Sequence, residues 1–547
     1  LALHSSGAAE DGAWRLSQNG FVGNYLRVDA LGVVTLSFEA TVLKATARAP
    51  RVRLVIADAE QLIELGDAPG ERELRVQLPI GTYLARVDFL RAAPGDALLL
   101  KQLALNGATW LPGNTDQHAL SAANTYIDEF RRGPAELELP VDLVGKRAQI
   151  RLERHVFGFG ANIPRADNQL IPDGPLSDDQ ERFQRLLLEN FNWVVLSNGG
   201  KWAYQEAERD VVDMAYVDRF LDFCQQYGLT ARMHNLIWDT EQQPSWIMAK
   251  DEQAPGLLTR AAAGDAAAKA ELLAEIDERI AYYVRGRSQR YLELDVLNES
   301  LHRPRYFQLL GETGVAELFR KVRKAASSDT RLYLNEFNVL QFSEDPLAPE
   351  KRPDPFANWY RWHAEALLAA GAPVDGLGVQ YYADVRGADE LGDNVHSAAR
   401  IAGVLHNLSG TGLRLTLSEF EVRPRPAPVE RGPDMLEQTL RLVFGTAHAD
   451  AFLIWAIWAK QAQTPAPLSL LLDDKDELTP AGWRYKQLMR EWSTALELPI
   501  AQGGKVELVG FFGDYSVRVD GELLCFSLTK GRTEYTPLPP ASGSCTR

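Results

Sequence analysis

Tyr291-Leu-Glu-Leu-Asp-Val-Leu-Asn298-Glu299 is a strand-like apolar segment that ends in a glutamate, and Leu413-Arg-Leu-Thr-Leu-Ser418-Glu419-Phe420 repeats this pattern later in the chain. If both segments are parallel strands of one barrel, their carboxylates emerge at the same rim. Two carboxyl groups that face each other there suit the cleavage of a glycosidic bond. One protonates the leaving oxygen and the other faces the anomeric carbon.

The chain around these segments alternates strand-like runs with helix-patterned runs, which is typical of a parallel α/β architecture. Eight strand candidates can be counted, at Val156–Ala161, Asn192–Ser197, Ala231–Trp238, Leu292–Asn298, Leu332–Asn338, Gly376–Tyr382, Leu415–Phe420 and Phe452–Trp458. Eight strands close a (β/α)8 barrel, and such barrels carry their active sites at the carboxyl ends of the strands. We therefore predict a TIM barrel over residues 156–497.

Two β regions flank the predicted barrel. Residues 1–126 contain short alternating runs broken by Gly, Pro and Asp, which indicates an antiparallel β-sandwich resembling a carbohydrate-binding module. Its aromatic residues could stack on sugars, although core packing is the better expectation for each of them: Trp14, Tyr25, Tyr83 and Trp110. Residues 127–155 are expected to form a connecting β segment. Residues 498–547, with a hairpin signal at Asp520-Gly521, should form a small β segment packed on the rest.

Composition limits the classes of partner. The 547 residues are enough for about three domains, and the formal charge of −16 opposes binding to phosphate backbones or anionic membranes. The longest apolar run, Ala451–Ala459, is far shorter than the roughly 20 residues of a membrane span. We predict no nucleic-acid or membrane partner, and a neutral polysaccharide remains open.

The cysteines do not indicate a metal site. Cys224, Cys525 and Cys545 form no Cys-x-x-Cys pair, and a Cys525–Cys545 bridge and three reduced thiols fit the sequence equally well. His234, Asp295 and Glu299 could in principle hold a metal, but no His-x-His or His-Glu-x-x-His spacing supports one. No cofactor is predicted. The chain begins at Leu1 without a basic-then-apolar leader, so a trimmed product is expected.

Six motifs in order along residues 156–492 resemble glycoside hydrolase family 10, the retaining endo-β-1,4-xylanase family. They are Asn198-Gly-Gly-Lys201-Trp202, Arg232-Met-His234-Asn-Leu-Ile-Trp238 with Pro244-Ser-Trp246, Leu294-Asp-Val-Leu-Asn-Glu299, Gly376-Leu-Gly-Val-Gln380, Leu417-Ser-Glu419-Phe-Glu421 and Trp455. One such motif would be weak, whereas six in the right order are specific.

The resemblance implies that Glu299 is the acid/base and Glu419 the nucleophile. It further implies a set of substrate-binding residues around them: Asn198, Lys201, His234, Trp238, Asn298, Gln380, Tyr382 and Trp455. Asn298 could reach the 2-hydroxyl of the bound sugar, and the tryptophans offer flat apolar faces to pyranose rings. Lys201 could help keep one carboxylate ionised while repulsion raises the pKa of the other.

Four positions depart from the family pattern. The family has an acidic residue, a tryptophan and two histidines where this chain has Ser197, Leu294, Asp239 and Tyr382. The Tyr382 hydroxyl could replace the histidine as a donor near the nucleophile, although it titrates near 10 rather than near 6.5. These changes affect the expected xylan preference and pH profile more than hydrolysis itself.

Two further glutamates resemble catalytic ones and are assigned other roles. Glu336, in Leu332-Tyr-Leu-Asn335-Glu336-Phe-Asn338, is expected to support the catalytic residues rather than act on substrate. Glu421 should lie further out on the same side of its strand as Glu419, in a solvated or structural role.

The sequence thus predicts a retaining endo-acting hydrolase of β-1,4-xylan. A β-glycosidase of another specificity and a catalytically silent carbohydrate-binding protein are the alternatives. A polysaccharide or oligosaccharide is the expected partner and a monomer the expected state. Secretion or a periplasmic location is expected because a polymeric substrate must be met there.

Overall fold

A closed eight-stranded parallel barrel forms the centre of the molecule. The computed structural model describes residues 3–4, 7–43, 49–65, 70–90, 95–163, 170–251, 253–340, 357–384, 396–423, 431–462, 466–540 and 545–546. The barrel strands, first to eighth, are Gly158–Ile163, Trp193–Leu196, Thr230–Met233 with Ile237–Trp238, Glu293–Asn298, Arg331–Glu336, Gly376–Asp384, Arg414–Arg423 and Ala449–Ile454. Each pairs in parallel with the next, and the eighth pairs with the first. The predicted TIM barrel is confirmed.

Each barrel strand is followed by a helix that covers the outside of the barrel. These helices are Asp178–Asn190, Ala215–Gln226, Ala266–Tyr283, Arg305–Ala325, Asn358–Ala369, Ala398–Ser409, Arg431–Phe444 and Pro480–Glu491. Three shorter helices, Trp202–Gln205, Ser245–Met248 and Leu257–Ala262, lie in the loops after the second and third strands. The first long helix begins with a capping box, in which Ser177 and Gln180 satisfy each other's backbone N–H groups. Of the described helices, none is long and apolar enough to cross a bilayer.

Two strand ends differ from the sequence expectation. The third strand is interrupted at residues 234–236, where the peptide bond between His234 and Asn235 is cis. The eighth strand ends at Ile454 instead of Trp458, because Ala456 adopts a positive φ of 72° and its N–H donates to Asn162 Oδ1. Trp455 therefore leaves the strand at the rim of the barrel.

The N-terminal region is a sandwich of two antiparallel sheets with a hydrophobic core of its own. One sheet contains Leu3–His4, Gly20–Val28, Arg51–Ile56, Ala59–Glu64, Gly81–Leu90 and Thr109–Trp110, and the other Ala8–Glu10, Ala13–Leu16, Gly32–Leu43, Gly70–Leu78 and Ala97–Asn106. Contrary to the strand-like reading up to residue 126, Thr115–Arg131 is a helix capped by Asn114. Its buried residues recur at helical spacing: Ala119, Ala122, Ala123, Ile127 and Phe130.

The segments on either side of the barrel combine into one small β unit. Arg132–Glu138 pairs with Lys505–Phe511 and Glu534–Tyr535, while Arg147–His155 pairs with Ala495–Pro499 and Gly513–Val519. Strand Glu522–Leu528 completes the second of these sheets, and a disulfide joins Cys525 to Cys545. Asp520 and Gly521 both have positive φ at the predicted hairpin, as a type I′ turn requires.

The sandwich contacts the outer helices of the barrel through buried and partly buried charged side chains. Arg361, on the helix after the fifth strand, donates to Glu60 Oε1 of the sandwich at 2.7 Å. Arg53 donates to Asn407 Oδ1 at 2.8 Å and pairs with Asp88, which also accepts from Arg86. These contacts attach the sandwich to the side of the barrel.

Candidate active site

The two glutamates that were singled out from the sequence lie at the carboxyl end of the barrel. Glu299 follows the fourth strand directly, and Glu419 lies in the seventh strand, opposite Gln380 of the sixth. Both are buried, with 6% and 4% of their surface exposed. Their charges interact, so the two carboxylates form one electrostatic unit.

Glu299 accepts two hydrogen bonds from neutral side chains. Trp238 Nε1 donates to its Oε2 at 2.7 Å, and Gln380 Nε2 donates to its Oε1 at 3.0 Å. Burial, and next the negative charge of Glu336, raise the pKa of Glu299 to about 7. A carboxyl group with this pKa can hold a proton near neutral pH, as a general acid must.

Glu419 has a different set of neighbours. The Tyr382 hydroxyl donates to its Oε2, Asn335 Nδ2 donates to its Oε1 at 3.4 Å, and His234 Nε2 lies 4.0 Å from the same oxygen. The pKa of Glu419 is raised to about 8: burial and the charge of Glu299 raise it, while the Tyr382 hydrogen bond and the Lys201 ammonium oppose this shift. Both carboxyls of the pair thus have raised pKa values, and we assign the shared proton to Glu299 because Tyr382 and Lys201 favour the ionised form of Glu419. Because the two carboxylates repel each other, the pair retains one proton above the ordinary pH range of carboxyl groups.

Lys201 is the buried cation beside this pair. Its ammonium donates to Asn198 Oδ1 at 2.6 Å and to Gln242 Oε1, and it lies 4.9 Å from the centre of the Trp238 ring. Burial lowers the pKa of Lys201 to about 8, against the opposing effect of Glu419 and Glu299. Lys201 thus brings positive charge to a site that holds two like-charged carboxyls.

His234 is held by a charged layer inside the barrel that the sequence analysis missed. Its Nδ1–H donates to Asp295 Oδ2 at 2.8 Å, and Arg232 pairs with both Asp295 and Glu293. Burial lowers the pKa of His234, although Asp295 opposes the shift. The layer fixes the ring so that Nε2 points toward Glu419. The sequence did contain a sign of this layer: Glu293 and Asp295 are two residues apart in a strand, so both side chains lie on the same face.

Asn298 and Trp455 complete the inner wall of the site. Asn335 Nδ2 donates to Asn298 Oδ1 at 2.9 Å, and no described residue accepts from Asn298 Nδ2 although this atom is buried. The Trp455 ring lies 6.0 Å from the His234 ring in an edge-to-face arrangement. A free amide donor and an indole beside the two carboxyls are groups that a sugar hydroxyl and a pyranose ring can contact.

The structure brings all ten predicted site residues to this end of the barrel. It adds three residues that were not predicted: Gln242, Arg303 and Asn335. Asn335 links Asn298 to Glu419, and its Oδ1 accepts from Ser418 Oγ at 2.6 Å. Arg303 Nε lies 3.8 Å from Glu299 Oε2, with about half of the side chain exposed. Asn335 was visible in the sequence only as the neighbour of Glu336.

The four departures from the family pattern have separate surroundings. Asp239 pairs with Arg305 and accepts from its N–H, which places its carboxylate at the start of a helix. Leu294 is fully buried in the fourth strand, and Ser197 is buried before Asn198. Tyr382 is the departure that contacts a catalytic candidate, through its bond to Glu419.

The two other glutamates do not join the pair. Glu336 accepts from the N–H groups of Leu301 and Phe337 and from His302 Nδ1. Glu421 pairs with Arg423 at 3.2 Å, and Arg423 in turn lies over the Tyr382 ring.

Metal-ligand side chains cluster elsewhere. In the described ranges, one group of three such residues has ligand atoms close together, Glu206, Asp210 and Glu275, and Arg209 already pairs with Glu275.

In the N-terminal region, Tyr25 and Tyr83 are fully buried, and Trp14 and Trp110 are half-buried against the sandwich core. Trp14, Tyr83 and Trp110 pack the core of the sandwich, as the sequence favoured, whereas Tyr25 packs in the core that includes the helix Thr115–Arg131 and the barrel.

The chain is similar in sequence to known proteins. The model of the family described as Glycosyl hydrolase family 10 matches residues 166–484. The chain is 27% identical over 382 residues to endo-1,4-beta-xylanase 2 of Arabidopsis thaliana, covering 70% of this chain and 31% of that protein. It is 25% identical over 421 residues to anti-sigma-I factor RsgI6 of Acetivibrio thermocellus, covering 76% of this chain and 48% of that protein.

A solved structure was also found, xylanase 10B from Thermotoga petrophila in complex with xylobiose. It is 19% identical, with a TM-score of 0.49, covering 61% of this chain and 94% of that one. The chain spans between about a third and a half of the length of the two curated relatives named above. Since the family match covers more than half of its residues, the chain belongs to glycosyl hydrolase family 10.

Proposed function

We propose that this protein is a retaining endo-acting glycoside hydrolase that cleaves β-1,4-xylan by double displacement. The observation that carries the proposal is the buried pair Glu299 and Glu419 at one end of the barrel, each with its own donors. A stable fold does not need two interacting buried carboxylates, because their repulsion is destabilising. The reaction needs both.

In the first step, Glu419 attacks the anomeric carbon and forms an ester with the sugar, while the Glu299 carboxyl gives its proton to the departing glycosidic oxygen. In the second step, Glu299 takes a proton from water, the water oxygen attacks the anomeric carbon, and the ester bond to Glu419 breaks. The Asn298 amide, which has a free N–H, is placed next to Glu299 and supports contact with the 2-hydroxyl of the sugar.

The family assignment and the named xylanase among the relatives support xylan as the substrate. Ser197 supports a different β-glycoside as the runner-up, because the acidic group that grips the neighbouring xylose is missing. A silent binding protein is the second alternative, and one relative bears the name of an anti-sigma factor. We further propose secretion or a periplasmic location and a monomeric state. A carbohydrate-binding role of the sandwich is also a proposal.

The test is hydrolysis of xylan, mixed-linkage β-glucan and aryl β-xylobiosides by the purified chain, with the products followed by ¹H NMR. We expect activity on xylan and the β-anomer as the first product. Activity on glucan alone would replace the substrate, a first-formed α-anomer would overturn the retaining mechanism, and binding without turnover would establish the silent alternative. We also expect kcat/KM to fall as pH rises through about 7, because Glu299 must be protonated to act as the acid.

A further inference from the structure

The turn that carries Glu299 is held by the end of the fifth strand. The Glu299 N–H donates to the Asn335 carbonyl at 2.7 Å, and the Leu301 N–H donates to Glu336 Oε2 at 2.9 Å. His302 Nδ1 donates to Glu336 Oε1 at 2.8 Å. Glu299 has a φ of +55°, a backbone conformation that non-glycine residues adopt only when their surroundings hold them there. Glu336 thus binds the same turn at two points beyond Glu299.

Glu336 is a buried carboxylate with few counter-charges. Its exposed fraction is 1%, and its three hydrogen-bond donors are two backbone N–H groups and the His302 imidazole. No described arginine or lysine forms an ion pair with it. A carboxylate in such a place satisfies the backbone of the turn, and its field is poorly screened because water is excluded.

The other groups that face Glu299 divide by sign. Arg303, on the same turn, and Lys201, after the second strand, bring positive charge. Glu419, on the seventh strand, and Glu336, on the fifth, bring negative charge, while Trp238, Gln380 and Tyr382 are neutral. Of the two carboxylates, Glu336 is the one that plays no covalent part in the proposed reaction.

We propose that Glu336 is a positioning residue for the acid/base: its carboxylate holds the Glu299 turn in place, and its charge disfavours loss of the Glu299 proton. This inference rests on the proposed function, since it assigns a role within the same site. Glu299 must alternate between acid and base at one location in the two steps. A fixed negative charge behind it keeps it protonated until the leaving oxygen takes the proton.

The main test is Glu336→Gln, which keeps an acceptor oxygen and removes the charge. We expect the alkaline limb of kcat/KM to move down by about one pH unit. The pKa of Glu299 should fall by the same amount when it is titrated by ¹³C NMR with labelled glutamate, its signal assigned by its loss in Glu299→Gln. An unchanged limb and an unchanged Glu299 titration would overturn the proposal. The NMR titration needs no turnover, so it remains decisive if xylan is not the substrate.

A second variant, Glu336→Asp, tests the positioning alone because it keeps the charge and shortens the side chain. On phenyl β-xylobioside, whose leaving group needs protonation, kcat/KM should fall by about 10- to 100-fold. On the 2,4-dinitrophenyl analogue, which leaves without a proton, it should fall less than about threefold. Equal losses of kcat/KM on both substrates would mean a merely structural role for Glu336 and would overturn the proposal. This test does not depend on Glu336→Gln, so it remains decisive if that variant fails to fold.

The matched control is Glu421→Gln, which removes a carboxylate charge from the same end of the barrel. Glu421 pairs with Arg423 and is not hydrogen-bonded to the Glu299 turn. Its variant should leave both the alkaline limb and the leaving-group dependence unchanged. If it moved the limb as far as Glu336→Gln, the effect would be one of net charge, and the specific role of Glu336 would be refuted.

Discussion

Two groups of charged residues in this molecule are arranged in opposite ways. Where the sandwich meets the barrel helices, each acid faces a guanidinium: the buried Asp88 lies between Arg53 and Arg86, and the partly buried Glu60 pairs with Arg361. At the carboxyl end of the barrel, the charge of Glu299 acts on Glu419, and both carboxylates accept hydrogen bonds from neutral side chains.

The two arrangements of charge serve different purposes: acid–base pairs serve stability, and the pair of like-charged acids serves chemistry. A buried acid paired with a base is neutralised, and removing one partner leaves an uncompensated charge that is costly. Two like-charged acids held together have raised pKa values and destabilise the fold, which only a function that uses them would retain. Burial of a charge by itself therefore does not mark an active site; the signs of its neighbours do.

The largest effect is expected from Glu419→Gln. It removes the nucleophile, so kcat on xylan should fall by at least about four orders of magnitude. The same change should raise the Tm, since a buried carboxyl with a raised pKa is destabilising once the pH exceeds its ordinary pKa. The gain should therefore grow as the pH rises from the ordinary carboxyl range to the raised pKa of Glu419, and level off above it. Calorimetry across pH 5–9 and xylan assays check both results. A Tm that falls with pH relative to the unchanged chain would contradict the like-charge account.

A smaller effect, on stability alone, is expected from Asp88→Asn. The change leaves the buried guanidiniums of Arg53 and Arg86 without their shared counter-ion, so the free energy of unfolding should fall by about 3–5 kcal/mol. Denaturant titration measures the loss, and kcat of the folded fraction should not change. The matched control is Glu73→Gln, whose pair with Arg75 is exposed and should contribute less than about 1 kcal/mol. Comparable losses in the two variants would contradict the role given to the buried pairs.

The smallest effect is expected from Tyr382→Phe, which removes one donor from Glu419. Because that hydrogen bond favours the ionised carboxylate, its loss should raise the pKa of Glu419, move the acidic limb of the pH profile upward and lower kcat by about 10-fold. A profile measured from pH 4 to 9 tests this. An acidic limb that stays in place would show that the tyrosine does not replace the donor.

The sequence predicted the eight strands and both glutamates because these features are local: a strand ends and a carboxylate follows it. Asn335 escaped notice because its role depends on two other strands, which bring Asn298 and Glu419 within reach of one amide. Of the charged layer, Glu293 and Asp295 lie in a segment that was read as apolar, and their partner Arg232 lies on a different strand. The residues of this layer become an interior only when the barrel closes.

The elements that differed from expectation also depended on distant contacts. Thr115–Arg131 carries a helical pattern, but it follows a long run of strands and was read as a continuation of them. The eighth strand ended early because Asn162, nearly 300 residues away in sequence, accepts from Ala456. At both places contacts with residues distant in sequence, and not the local sequence pattern alone, decided where the helix or strand lies.

Covalent trapping of the nucleophile tests the role of Glu419 most directly. We would incubate the protein with the 2,4-dinitrophenyl glycoside of 2-deoxy-2-fluoro-β-xylobiose, digest it with protease and locate the adduct by tandem mass spectrometry. We expect a single fluoroxylobiosyl ester on Glu419, and none in Glu419→Gln. An ester on any other residue, or steady hydrolysis of xylan with no adduct at all, would contradict this role of Glu419.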